Sequence, residues 1–194
     1  MTVKRPVSGS LARDFFSMIV LSVLISAIAL VTLASSQRDA EAINIAGSLR
    51  MQSYRLGYEM QRASPSLAEH RAVWQKTLSA PALQKLNRWY VPEDVKQRYQ
   101  QLQLGWQEMD TRIASGDTGW YQSHIEDFVG RIDAFVLALQ HYTEHKIQLV
   151  IFMSLTGGLG ILLLAVMTLR RIRRQVVLPL NNLVARSEEH TSEL

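Results

Sequence analysis

The chain has 194 residues with 47% hydrophobic composition, no cysteine, and 21 Lys or Arg against 17 Asp or Glu. The surplus positive charge lies beside two long apolar runs, where membrane insertion requires it, so it is no signature of a nucleic-acid partner. Without cysteine there is no disulfide framework, which is compatible with an oxidising compartment.

Residues 1–14 form a short basic N-terminus with Lys4, Arg5 and Arg13. Residues 15–34 then run 20 residues without a charge, and residues 147–169 another 23. At about 1.5 Å rise per residue each reaches the roughly 30 Å of a bilayer's hydrocarbon core, so both are read as transmembrane helices. The first is longer than the roughly 7 to 15 apolar residues of a cleaved signal core and is read as an uncleaved anchor. Arg170, Arg171, Arg173 and Arg174 follow the second run. Basic residues outside both runs predict two cytoplasmic termini and place residues 35–146 on the other side. That segment carries 13 Lys or Arg and 13 Asp or Glu and is net neutral.

Residues 37–62 contain no proline and are rich in helix formers, which predicts a helix continuing out of the first span. Ser64-Pro65-Ser66 breaks it. A shorter helix is predicted over residues 67–78, and Ala80-Pro81 interrupts before Leu83, Leu86 and Trp89. Pro92 with Glu93 and Asp94 suits a third helix start, because proline tolerates the first turn and carboxylates favour the positive end of the dipole. Val95, Tyr99, Leu102, Trp106, Met109 and Ile113 give that helix its apolar face. Residues 115–119 are a turn, and a fourth helix from about Trp120 shows Ile125, Phe128, Ile132, Phe135, Leu139 and Tyr142 on one side before it enters the second span. The predicted fold is all-α: two transmembrane helices flanking an antiparallel four-helix bundle.

One residue is out of keeping with this pattern. In DAEAINIAGSLRMQSYRLGYEMQ, residues 39–61, steps of three and four join Ile43, Ala46, Arg50, Ser53 and Gly57 into one helix face with a cation at its centre. A partner carboxylate on another helix, or a turn into water, would account for it. So would a ligand: if two chains associate about a twofold axis along the membrane normal, Arg50 faces its own copy, and a flat oxyanion accepts paired hydrogen bonds from both guanidinium forks. Gly47, one turn earlier, leaves room. His141 and His145 stand at a metal-compatible spacing, but no third ligand is suggested, and no metal site is expected. No catalytic constellation is present: Glu126, Asp127 and Asp133 read as solvated helix positions, and the four tryptophans as core or interface residues. Ser154, Gly157, Gly158 and Gly160 form a small-residue patch suited to close packing in the second span.

The stretch 39–61 closely resembles the ligand-binding P-box of the bacterial nitrate/nitrite sensor histidine kinases of the NarX and NarQ type. The similarity extends to VKRPVS, WYVPE, FVLALQHY and LRRIRRQVVLPLNNLV, and Ile45 favours the NarQ branch, because the NarX branch carries lysine there. The resemblance implies an inner-membrane homodimer, embedded in lipid, in which Arg50 of both subunits grips one nitrate or nitrite. Gly47 would lie beside the ligand, with Ile43, Ala46, Ser53 and Tyr54 as supporting box positions. It also implies that residues 170–185 begin a HAMP domain, with Pro179, Leu180 and Leu183 in its first helix. A downstream kinase domain would use ATP and Mg to phosphorylate its own histidine and then a response regulator; this fragment is expected to hold no cofactor and no catalytic residue. A chemoreceptor-type or other HAMP receptor for a small anion, without its own kinase, shares the same input architecture, as would a bundle that only anchors or dimerises.

Residues 186–194, RSEEHTSEL, break the HAMP pattern. They are encoded by AGATCGGAAGAGCACACGTCTGAACTC, a common sequencing-adapter string, and are expected to be an assembly artefact. His190 is accordingly excluded as a phosphoacceptor.

Overall fold

The computed structural model describes residues 7–179. Among these every regular element is helical: α1 (Val7–Gln61), α2 (Leu67–Leu78), α3 (Pro81–Gln84) with a 3₁₀ turn (Lys85–Asn87), α4 (Glu93–Ser115), α5 (Thr118–Ile172) and a π-helical segment (Arg173–Val177). The fold is all-α, and α1 and α5 each contain a stretch long and apolar enough to cross a membrane. Of the residues assigned above to HAMP, Pro179 ends the described part, whereas Leu180 and Leu183 lie outside it, as do residues 186–194.

The chain divides into two compact units, one made of residues up to Val31 with those from Leu149 onward, the other Thr32–Gln148. In the first, the start of α1 and the end of α5 show lipid-type surfaces: Phe16, Leu30, Leu155 and Phe152 are all largely exposed. Their mutual contact depends on Gly157, where a Cβ would fall 2.2 Å from the Ile25 Cδ1. Arg171 Nη1 donates to Asp14 Oδ2 at 2.7 Å, pairing a cation and an anion on the two helices.

The second unit is a four-helix bundle built from the later part of α1, α2, α4 and the earlier part of α5. Its helices alternate in direction: the α1–α2 and α4–α5 connections are short, and the longer α2–α4 connection is folded into α3 and the 3₁₀ turn. Ala63, in the left-handed region at φ 48°, ends α1: Ser64 N donates to Glu59 O and Ala63 N to Met60 O, the paired bonds of a Schellman closure. The Cβ of Ala63 makes that closure more costly than glycine would. Gly116, at φ 71°, closes α4 in the same way without that cost. Asp117 then accepts from Trp120 N at 3.2 Å and caps α5.

The buried face of α1 is Ala42, Ala46, Leu49, Ser53, Leu56 and Met60, alternating steps of four and three. From α4, Val95, Tyr99, Leu102, Trp106, Met109 and Ile113 are all buried, the face the sequence periodicity predicts. Trp74 stacks on Trp106 with ring centroids 3.6 Å apart, at the centre of the core. Its Nε1 donates to Ser53 Oγ at 3.0 Å, while Tyr121 donates its hydroxyl to Ser53 O at 2.9 Å and Tyr99 to Leu78 O at 2.8 Å. The large aromatics are thus satisfied in the interior, and burial pushes the Tyr121 phenol well above its ordinary range.

Trp89 departs from the spacing it shares with Leu83 and Leu86. Those two are buried, but Trp89 is 90% exposed. The helical phase is lost between them, because α3 tightens into a 3₁₀ turn at Lys85–Asn87 and Arg88 is extended at ψ 154°.

Candidate functional site

Arg50 does not occupy the centre of the buried stripe. The α1 core face passes through Ala46, Leu49 and Ser53, and Arg50, one residue step around the helix from Leu49, is carried to its margin. There its side chain is 54% exposed, and Nη1 donates to Asp133 Oδ1 on α5 at 3.0 Å. Steps of three and four cannot distinguish the middle of a stripe from its edge, which is why spacing alone suggested a more deeply buried charge.

The other box residues fall into two groups. Ala46 and Ser53 are fully buried inside the protomer, Ser53 being the polar junction between Trp74 and Tyr121, and Ile43 is half-buried against the core. Gly47 and Tyr54 lie on the outward side: a Cβ on Gly47 would meet nothing within 4 Å, and Tyr54 is exposed. With Met51 and Tyr58, which are also exposed, they form a second stripe of α1 on the side away from the core. Leu137 of α5 is exposed as well. Asp133, whose sequence context predicts a solvated helix position, is half-exposed but engaged by Arg50. No local sequence signal links two residues 83 positions apart.

Chemically, this surface offers a planar, permanently charged guanidinium beside a position without a side chain, framed by apolar and aromatic groups. A lone exposed ion pair of this kind contributes about 0 to 1 kcal/mol, so the Asp133 carboxylate is a replaceable partner. Guanidinium N–H groups beyond Nη1 have no hydrogen bond among the described residues, leaving donors for a planar oxyanion.

The far end of α1 carries a second polar cluster. Glu59 is buried, its Oε1 lies 2.7 Å from His70 Nδ1, and Arg55 Nε donates to the same oxygen at 3.2 Å. Burial raises the Glu59 pKa, but the hydrogen bonds from His70, Arg55 and Ser66 and the His70 charge outweigh it, and the carboxyl is held below its ordinary value of 4.5. On α2, Arg71 Nη2 donates to Asp110 Oδ2 of α4 at 2.7 Å, and this contact raises the Arg71 pKa further. These contacts fix the bundle's far end. Among the described residues no group of three or more His, Cys, Asp or Glu gathers in a metal-binding arrangement.

Comparison with known proteins supplies the context for this surface. The family described as PilJ, type IV pili methyl-accepting chemotaxis transducer N-term, matches residues 31–128. Over 188 residues, 97% of its length, the chain is 61% identical to the nitrate/nitrite sensor protein NarQ of Escherichia coli K12, of which it covers 33%. It is 35% identical over 182 residues to the sensor protein NarQ homolog of Haemophilus influenzae, covering 93% of this chain and 32% of that protein. The chain therefore spans about a third of the length of these relatives.

Proposed function

Because the chain belongs to the PilJ family of transducer N-terminal regions, we propose that it is the input part of a membrane sensor that binds nitrate or nitrite between two copies of itself. The observation that carries this reading is the exposed stripe of α1, in which Arg50 stands beside open Gly47 and the apolar Met51, Tyr54 and Tyr58. Two such stripes meeting about a twofold axis would bury apolar surface on either side of two arginines. The repulsion between those cations is relieved by one flat anion that accepts paired hydrogen bonds from both. Similarity to the nitrate/nitrite sensor protein NarQ of Escherichia coli supports nitrate or nitrite as that anion.

The membrane in question is the bacterial inner membrane, with both termini in the cytoplasm and residues 35–146 in the periplasm. Residues from Arg170 onward begin a HAMP domain, and the whole protein is a histidine kinase that consumes ATP with Mg and phosphorylates a response regulator. Signalling requires that the anion bind one arrangement of the bundle more tightly than the other, since equal affinity shifts nothing. The description of the matching family favours a second reading, a chemotaxis-type transducer with no kinase of its own. The genomic sequence beyond Ala185 separates the two, a histidine box and nucleotide-binding glycines supporting the kinase.

The binding reading is tested by calorimetric titration of nitrate into the chain reconstituted in lipid nanodiscs. Arg50→Ala is expected to abolish the heat of binding while circular dichroism retains full helicity. Arg50→Lys is expected to weaken binding about tenfold or more, since a point charge replaces a fork of aligned donors. Undiminished affinity in Arg50→Ala would sink the assignment.

A further inference from the structure

The connection between α2 and α4 carries the most exposed large aromatic of the bundle. Trp89 is 90% exposed and Tyr90 about half, and their rings meet edge to face with centroids 5.8 Å apart. A tryptophan left wholly in water forgoes the burial of one of the largest apolar surfaces a side chain has. Val91 and Leu86, on either side, are buried and hold the segment down, so the outward aromatic pair stands on an anchored base.

Its place in the bundle indicates what it meets. Lys85, Arg88 and Tyr90 line a cavity of about 260 Å³ together with Ser35, Arg38 and Lys146. Ser35 directly follows the first apolar stretch and Lys146 directly precedes the second, and Lys146 Nζ donates to both Ser35 Oγ at 2.9 Å and Asp39. The segment therefore lies at the end of the bundle through which the chain passes into the bilayer. Around the cavity are four cations, Arg38, Lys85, Arg88 and Lys146, and two carboxylates, Asp39 and Glu41, a local positive surplus.

We propose that Trp89 and Tyr90, with Lys85 and Arg88, form a lipid-docking surface that seats the α2–α4 connection in the headgroup layer of the membrane. Tryptophan and tyrosine favour that layer, where an apolar ring and a polar edge are both satisfied, and lysine and arginine draw on anionic headgroups there. The occupant is the bilayer surface itself. The inference rests only on the two spans crossing a membrane, and holds whichever side the bundle faces and whatever anion it binds. Docking gives the bundle an attachment to the membrane besides α1 and α5, so those helices can move against a fixed reference.

The test uses the full chain in vesicles of phosphatidylcholine and phosphatidylglycerol, with Trp89→Tyr as the comparison, a change at an exposed position that leaves the core untouched. The Trp89 emission is the difference between the two proteins. It is expected to be lost when the acyl chains are brominated near the headgroups, to be shielded from aqueous iodide, and to shift to the red in K85Q/R88Q when phosphatidylglycerol is present. Carbonate extraction of both proteins verifies that the spans are inserted, separating failure of docking from failure of membrane assignment. Trp89 emission quenched by iodide and untouched by bromine would overturn the proposal. So would protection from iodide without bromine quenching, which would identify a protein partner instead.

Discussion

At the residue scale, the informative contact is Arg50 with Asp133. The sequence made the cation conspicuous but gave its depth wrongly, because Ala46 and Ser53 share its three-and-four spacing while facing inward. A partner carboxylate on another helix was one of the expected explanations, but which one was not legible, since the pair lies 83 positions apart in sequence. An anion bound at Arg50 would share the guanidinium with the Asp133 carboxylate, whose negative charge opposes it. Asp133→Asn is therefore expected to change folding stability by less than about 1 kcal/mol, because both groups are half-exposed. The same change should tighten nitrate binding, measured by titration in nanodiscs. Glu59 presents the contrasting case of a buried carboxylate. Its folded pKa lies below the ordinary 4.5, so its contribution is fully present above that value and is lost as pH falls through the folded pKa. Glu59→Gln is expected to be less stable than the parent at neutral pH, and the gap should close as acidification passes through the depressed folded pKa, read in thermal melts of the detergent-solubilised chain.

At the scale of elements, the sequence was most legible where a helix has one apolar face and clear ends. Every residue assigned to the α4 face is buried, and Pro65, Pro92 and Gly116 mark real interruptions. It was least legible across residues 80–91, where a short α-helix gives way to a 3₁₀ turn and an extended residue. Each changes the angle per residue, so the phase linking Leu83 to Leu86 no longer predicts Trp89. In the apolar helices, the small-residue patch was evident but its opposite number was not. Gly157 admits Ile25, and a side chain there must displace an atom only 2.2 Å away. Gly157→Leu is expected to cost about 1 to 3 kcal/mol, the usual penalty of overpacking. Thermal melts of the chain in detergent measure it, with Gly158→Leu as the control, since a Cβ there meets nothing within 4 Å.

At the scale of the whole molecule, composition and hydrophobic length made the all-helical architecture with its two long apolar helices legible, because hydrophobic length is a local property. The exposed second stripe on α1 was not separable from the buried one until the core was known. A site shared across a twofold axis gives a distinctive stoichiometry: calorimetry is expected to return one nitrate for every two chains. A value of one per chain would place the anion within a single protomer instead.

The two stripes of α1 also restrict how that helix can move within the bundle. Turning it by a single residue step, 100°, would bring Leu49 and Leu56 out of the core and drive Arg50 toward it. Each leucine so exposed costs about 1.5 to 3 kcal/mol, and the arginine more. A small slide along the helix axis keeps every residue on its own side and incurs neither penalty. Within the bundle a full residue step of rotation is therefore costlier for α1 than a small axial displacement, and its surface chemistry sets a preferred line of travel.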